Sequence, residues 1–467
     1  MSKDMSYAAV LGRKPEIMKK SVGIDFSKYE SGSIAFDYEQ MMRDVEYTIE
    51  DVKNIQQDHG VGNTPIIELR NITELARKCA PEGKGARIFI KDEASNASGS
   101  FKARRAALAV YQAKKLGYKG VVTATSGNYG AAVASQAAMY GLKCIVVQEC
   151  YDSKGVGQPE IIEKARACEA LGAEVVQLTV GPELFYKFLL LLEETGYFNA
   201  SLYTSFGITG VETLGYEIAM QFRERYGKDP DYVVASNAGG GNLTGTARGL
   251  KKAGAESRII AASVNLSGLH MAADTQFNRK SFTTSHTGFG VPFSTWPDRS
   301  DVPRSAARPL RYLERYLTVQ QGDVFYITEA LASLEGLEKG PAGNTALAAA
   351  FSLAQELDQD QTIVVQETEY TGAGKHIQPQ LSFARENGIE IKFGNPHDEV
   401  PGQNIILPSH PSMIKAQDLD VDNMRRSLIK NALKNYNVTE PTKEDIKFLA
   451  EETNSNEEFV KNVIASL

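Results

Sequence analysis

From Arg87 onward the chain alternates short apolar runs with longer segments in which apolar residues recur at helical spacing. The runs Arg87–Lys91, Gly120–Ala124, Lys143–Gln148, Glu174–Leu178, Tyr232–Ser236, Ile259–Val264, Val324–Ile327 and Thr362–Gln366 are mostly rich in Val and Ile without polar alternation. That pattern predicts strands buried on both faces. Between them, Phe101–Leu116, Tyr129–Tyr140, Pro159–Leu171 and Val211–Tyr226 carry the helical period, and Gly117, Gly141, Gly172 and Gly227 stand where those helices would stop. Strands and helices alternating at this spacing predict an α/β fold with a mainly parallel sheet.

The two ends depart from this alternation. Asp37–Gln57 has the pattern of an acidic amphipathic helix ahead of the first sheet element, packed on the outside of the core. Beyond about Pro401 the strand pattern fades. Met424–Asn435 and Thr442–Leu467 then read as helices, the second opened by Thr442 with Asp445 three residues on, a capping-box variant. Such a tail suits a dimer arm, a docking surface for another subunit, or a plain terminal cap.

At 467 residues the chain has room for two or three folding units of about 150 residues each. Hydrophobic residues make up 42% and charged residues 23%, the balance of an ordinary globular protein, and a net charge of −7 argues against nonspecific binding to nucleic acid or an anionic membrane. No apolar run follows Met1-Ser2-Lys3-Asp4, and no stretch approaches the roughly 20 apolar residues of a membrane span, so a cytoplasmic location is expected. Cys79, Cys144, Cys150 and Cys168 have neither the density of a disulfide framework nor the spacing of a zinc site, and they read as reduced thiols. The histidines are scattered, so no metal centre is expected.

Candidate chemistry sits in the turns that follow strands. Ser98-Gly99-Ser100-Phe101-Lys102 presents a lysine at a helix start, where the helix dipole and the neighbouring Arg104 and Arg105 disfavour an ammonium. A lysine held neutral can form imines, although a lysine in this setting taken alone is a solvated surface charge. Arg104 and Arg105 read by themselves as a solvated helical face, Arg105 the more so. Thr125-Ser126-Gly127-Asn128 falls between a strand and a helix, where hydroxyls and backbone N–H groups converge and can hold a carboxylate. A simple capped turn is an equal reading. Gly239-Gly240-Gly241-Asn242 lets the backbone approach a phosphate closely at a helix start, without the GxGxxG spacing or Walker lysine of a nucleotide site. After Thr362–Gln366, a hydroxyl from Thr368 or Thr371 in Glu367–Gly374 could meet a heteroaromatic nitrogen, and a plain glycine-rich turn rivals it. Cys150, just past a strand end, is a candidate acyl carrier, with an inert structural thiol the commoner outcome. Together these segments supply an amine, an anion-holding turn and a phosphate loop, the inventory a pyridoxal-phosphate enzyme needs.

In order and residue type these motifs resemble the fold-type II, tryptophan-synthase β-like pyridoxal-phosphate family, near the threonine and cysteine synthases. Gly62-Asn63-Thr64-Pro65 is similar to the family's early GNTP element. The resemblance, which spans roughly Gly60 to Phe393, implies that Lys102 is the catalytic Schiff-base lysine. It further implies that Thr125, Ser126, Gly127 and Asn128 hold the substrate carboxylate, with Asn128 also meeting the cofactor's ring oxygen. Gly239, Gly240, Gly241 and Asn242 would form the phosphate cup, Asn242 standing where the family usually has a fourth glycine, and Thr371 would meet the pyridine nitrogen. The implied architecture is two open, mainly parallel twisted sheets flanked by helices. A large cofactor-binding domain would comprise residues 61–115 and 210–400, a small α/β domain 116–209, an amino-terminal extension 1–60 and a helical tail 401–467.

Within the family, the extension containing Tyr29-Glu30-Ser31-Gly32 and the loop Ala94–Lys102 resemble the cofactor-carrying subunits of thiolytic enzymes that cleave an amino-oxo acid. That likeness implies an amino acid and coenzyme A as substrates, a small second (α) subunit, and a homodimer of this chain inside a hetero-oligomer. A threonine synthase or diaminopropionate ammonia-lyase activity, and a silent cofactor-binding regulatory subunit, are the alternatives.

Overall fold

A computed structural model describes residues 3–125, 127–271, 274–285, 287–288, 302–370 and 377–467. Seven strands form one sheet in the order Gln417–Asp418, Arg315–Val319, Arg258–Val264, Tyr232–Ser236, Thr362–Glu367, Arg87–Asp92, Ile66–Glu68. Its inner pairs are parallel, and each outermost strand joins antiparallel. Four parallel strands form a second sheet in the order Glu174–Thr179, Lys143–Tyr151, Gly120–Thr125, Phe198–Asn199. Helices cover both sheets, so Val233, Val234, Val364 and Val365 lose all contact with solvent, which is why these runs show no polar alternation. Gly141 and Gly227 end their helices at φ 65° and 71°, the left-handed conformation that glycine adopts without a steric penalty. The predicted α/β architecture of two mainly parallel sheets flanked by helices is the one observed. No helix among the described residues is long and apolar enough to cross a membrane.

Some expected elements differ. Val324–Ile327 is not a strand but part of the helix Gln321–Glu335, opened by a capping box between Gln320 and Asp323. A buried apolar run of this length fits either period, and here the cap decides it. The strand in this region is Arg315–Val319. The segment Asp37–Gln57 is two helices, Tyr38–Arg43 and Ile49–Gln57, separated by a turn in which Glu46 takes φ 62°. Thr442–Leu467 likewise divides into Lys443–Glu452 and Glu457–Ala465, broken where Asn454 takes φ 48° and Asn456 caps the second helix. Past Pro401 two strands remain: Asn404–Pro408, paired with Glu390–Gly394, and Gln417–Asp418 on the edge of the large sheet.

The two ends of the chain are joined. Asp445 caps its own helix with Thr442 and also accepts hydrogen bonds from the N–H groups of Ser33, Ile34 and Ala35 at 2.8–3.0 Å. Met424, Leu428, Phe448 and Val460 of the tail share one buried cluster with Ile34, Phe36 and Tyr38 of the amino-terminal segment. The tail therefore covers apolar surface of its own chain.

Two helices lock together beside the glycine turn at Gly239–Gly241. Ser205–Tyr226 and Gly241–Lys252 pack backbone to backbone, because a Cβ on Gly215 would collide with the Thr246 carbonyl and one on Gly249 with that of Glu212. This close approach fixes where the Gly241 helix begins.

Candidate active site

The carboxyl ends of Gly120–Thr125 in one sheet and of Tyr232–Ser236 and Thr362–Glu367 in the other converge on a cavity of about 190 Å³. Clefts at the carboxyl ends of parallel strands are where α/β folds bind ligands. Lys102, Thr125, Gly127, Asn128, Gly239, Gly240, Gly241 and Asn242 all line it, so segments far apart in the chain meet at one place.

Lys102 begins the helix Lys102–Lys115. The turn before it is stitched to the residues that follow the strand Thr362–Glu367: the Phe101 N–H donates to the Thr368 carbonyl at 3.0 Å, and the Tyr370 N–H to the Gly99 carbonyl at 2.8 Å. Gly99 takes φ 71° there. The Lys102 ammonium stands 3.9 Å from a carboxylate oxygen of Glu369. Burial lowers the Lys102 pKa to about 8, with the charges of Lys164 and Arg105 acting the same way against the opposing pull of Glu369 and Glu160. The lysine therefore offers a substantial neutral fraction near physiological pH, as nucleophilic lysines require.

Lys164 and Glu160 escaped the sequence reading. They form an i,i+4 pair on the helix Pro159–Ala170, a spacing usual on solvated faces. Here that face turns inward. The Lys164 ammonium lies 2.6 Å from Glu160 and 4.0 Å from Glu369, and it passes 3.5 Å from where a Cβ on Gly127 would sit. Glu160 accepts a further hydrogen bond from the Thr284 hydroxyl at 2.7 Å. Lys102, Glu369, Lys164 and Glu160 thus form an alternating row of charges, the first three of which line the cavity.

In the Thr125–Asn128 turn, the Gly127 N–H donates to the Thr125 hydroxyl oxygen at 2.9 Å, and that hydroxyl donates to the Gly127 carbonyl at 3.1 Å. Thr125 thereby braces the turn. Asn128 starts the next helix, is buried, and its side-chain amide nitrogen has no hydrogen-bond partner among the described residues. Ser126 and Thr371 lie outside the described residues. Thr368, just past the strand Thr362–Glu367, is buried and lines the cavity.

Across the cavity, Gly240 takes φ 81° to open the helix Gly241–Lys252, whose first N–H groups have no partner within the helix. A Cβ on Gly239 would run into the Tyr203 hydroxyl, and one on Gly241 would come 2.6 Å from Nη2 of Arg105. Arg105 is no solvated residue: it is buried and lines the cavity. Arg104 is buried too, but points away, donating to Glu93 at 2.7 and 2.8 Å and to Glu217 at 2.9 and 2.8 Å. Although burial pushes the Glu217 pKa upward, Arg104 and Lys91 hold it well below the usual carboxylate range. Gly62-Asn63-Thr64-Pro65 is wired into this network, the Asn63 N–H donating to Glu217 at 2.9 Å and the Thr64 hydroxyl to Glu93 at 2.6 Å. The element is bracing around the site. Cys150 is fully buried, and burial pushes its thiol up to about 12, so it has no thiolate character.

The residues present fit pyridoxal phosphate. The cavity holds a lysine of depressed pKa, an unpartnered amide donor on Asn128, a buried Ser236 hydroxyl with no partner among the described residues, and a helix start that only glycines allow. The chain belongs to the pyridoxal-phosphate dependent enzyme family, whose model matches residues 58–369. Along its full length it is 76% identical to the 2-amino-4-ketopentanoate thiolase beta subunit of Acetoanaerobium sticklandii, covering 100% of both chains. A second thiolase beta subunit, from an unknown prokaryotic organism, is 64% identical over 100% of this chain and 99% of the relative. Among solved structures, a pyridoxal 5'-phosphate-dependent aspartate racemase superposes with a TM-score of 0.54 at 21% identity, covering 69% of this chain and 95% of that one, a likeness of fold.

Proposed function

We propose that this chain is the cofactor-carrying subunit of a thiolase that cleaves 2-amino-4-ketopentanoate with coenzyme A into alanine and acetyl-CoA. The observation that carries the reading is a cavity joining Lys102, the Asn128 turn and the glycine loop in a chain that matches a named thiolase beta subunit from end to end. Lys102 would hold the cofactor covalently, Asn128 its ring oxygen, Gly239–Asn242 its phosphate, and Thr371 or Thr368 its pyridine nitrogen. When bound, pyridoxal phosphate supplies an electron-withdrawing ring that stabilises negative charge on the substrate carbons beside the amine.

The protein's own residues would then do the following. The Thr125–Asn128 turn binds the substrate carboxylate through its N–H groups, with the Lys164 ammonium beside it adding positive charge. Lys102, whose charged form burial disfavours, takes the proton from the amine-bearing carbon and returns one to the product. The coenzyme A thiolate adds to the C4 ketone and the C3–C4 bond breaks. Acetyl-CoA leaves, and the remaining three carbons gain a proton at C3 to become alanine.

The name beta subunit borne by both relatives supports a small α subunit as partner. A homodimer of this chain within such a hetero-oligomer, in the cytoplasm, completes the reading. So does a division into a large cofactor domain (61–115 and 210–400) and a small one (116–209). A visible-absorbance titration of the cofactor-loaded protein with 2-amino-4-ketopentanoate, O-phosphohomoserine, diaminopropionate and threonine tests it. A new band with the keto acid alone is expected. A response only to one of the others would move the chain to the synthases or lyases, and retention of the substrate's α-proton would make it a regulatory subunit.

A further inference from the structure

Among the described residues, Arg105 is a buried charge without a carboxylate counter-charge. The residue is 3% exposed, and its Nε has no hydrogen-bond partner among the described residues. Nη1 makes one long contact, 3.4 Å, with the Leu202 carbonyl. The guanidinium also lies 5.1 Å from the centre of the Phe101 ring, which does not neutralise it. No carboxylate among the described residues pairs with it, whereas Arg104, one residue earlier, engages Glu93 and Glu217. A buried guanidinium left in this state is costly, and a fold that keeps one implies an anion at that place.

The place is specific. Nη2 lies 2.6 Å from where a Cβ of Gly241 would stand, so the guanidinium sits against the first glycine of the helix Gly241–Lys252 and faces the same space as that helix's free N–H groups. The carboxylate-holding turn at Thr125–Asn128 belongs to the other sheet, on a different wall of the cavity.

We propose that Arg105 completes the phosphate cup, its guanidinium and the N–H groups at the start of the Gly241 helix together binding the phosphate monoester dianion of the cofactor. This assignment rests on the cofactor reading above. A cup of glycine N–H groups alone offers partial charges. The planar fork of Arg105 adds a full charge and donors matched to two phosphate oxygens.

The test measures dissociation constants of the apoenzyme for pyridoxal phosphate and for pyridoxal, which lacks the phosphate, together with the melting temperature of the apoenzyme. Arg105→Met is expected to weaken pyridoxal phosphate binding by about 100-fold while leaving pyridoxal nearly unchanged. Arg105→Lys is expected to recover part of the difference. Because the charge burdens the apoenzyme, Arg105→Met should melt at the same or a higher temperature in that form. An unchanged preference for the phosphorylated ligand would overturn the proposal, as would an equal loss for both ligands. So would an apo Arg105→Met protein that melts lower or fails to fold, since that outcome makes the arginine a structural residue. If Arg105→Met abolishes stabilisation by inorganic phosphate but spares pyridoxal phosphate affinity, the residue holds free phosphate instead. Wild-type protein that binds neither aldehyde would defeat the cofactor reading itself.

Discussion

Lys102 and Glu369 stand 3.9 Å apart on the cavity wall, and Glu369 lies 4.0 Å from Lys164. One carboxylate is thus shared by two ammonium groups, and the protonation of Lys102 depends on all three. Burial, Lys164 and Arg105 lower its pKa, while Glu369 and Glu160 raise it, with about 8 as the result.

The direction of each influence can be measured. The rate at which apoenzyme captures pyridoxal phosphate should climb as pH rises through about 8, because only the neutral amine reacts. Glu369→Gln removes an influence that raises the pKa, so the profile should move to lower pH. Lys164→Met removes a like charge, so it should move to higher pH. The folded pKa lies below the unfolded value of 10.5, so folded apoenzyme binds fewer protons between the two, and its stability should rise with pH across that window. A profile indifferent to both substitutions would break the proposed coupling.

Lys102→Ala should remove the cofactor adduct that borohydride fixes on the protein and lower turnover by roughly 10²–10⁴-fold or more. Peptide mapping of the reduced wild-type protein locates the adduct. Its appearance on Lys164 or any other lysine would reassign the site.

Arg104 sits between Glu93 and Glu217 with no exposure to solvent. Arg104→Met leaves Glu93 buried without its cation and Glu217 with Lys91 alone, and should cost roughly 3–5 kcal/mol of stability by chemical denaturation. The depressed pKa of Glu217 adds a pH signature: the stability it confers is present above its unfolded value of 4.5 and is lost as pH falls toward the folded one. Arg104→Met should blunt that acid sensitivity.

Asp445 joins the two ends of the chain, capping one helix and accepting N–H groups from Ser33, Ile34 and Ala35. Asp445→Ala should cost at least about 2 kcal/mol, from the lost cap and the buried donors left unpaired. Limited proteolysis should then cut between Tyr29 and Phe36. Resistance equal to wild type would mean that the apolar cluster alone holds the extension.

Cys150→Ala should leave turnover within a small factor of wild type, because a fully buried thiol raised to about 12 supplies no thiolate to carry an acyl group. Loss of activity with the fold intact would restore the acyl-carrier reading.

Contiguous residues encode the part of this protein that can be read along the chain. Lys102 with its turn, Thr125–Asn128 and Gly239–Asn242 each lie within a few residues at a strand end or helix start, so their backbone chemistry is local and legible. The strand and helix alternation was readable for the same reason, as was the Thr442–Asp445 cap. Long-range packing decided the rest. Val324–Ile327 fits either period, and the capping box of Gln320 and Asp323, formed only once the chain has folded there, makes it helical. The pair Glu160–Lys164 has the spacing of a surface salt bridge, and only the orientation of its helix puts it beside Lys102. Arg104 and Arg105 look alike in the chain, yet residues on one helix that are adjacent in sequence point about 100° apart. One therefore meets two carboxylates contributed by distant segments, and the other meets Gly241, the first residue of the helix Gly241–Lys252.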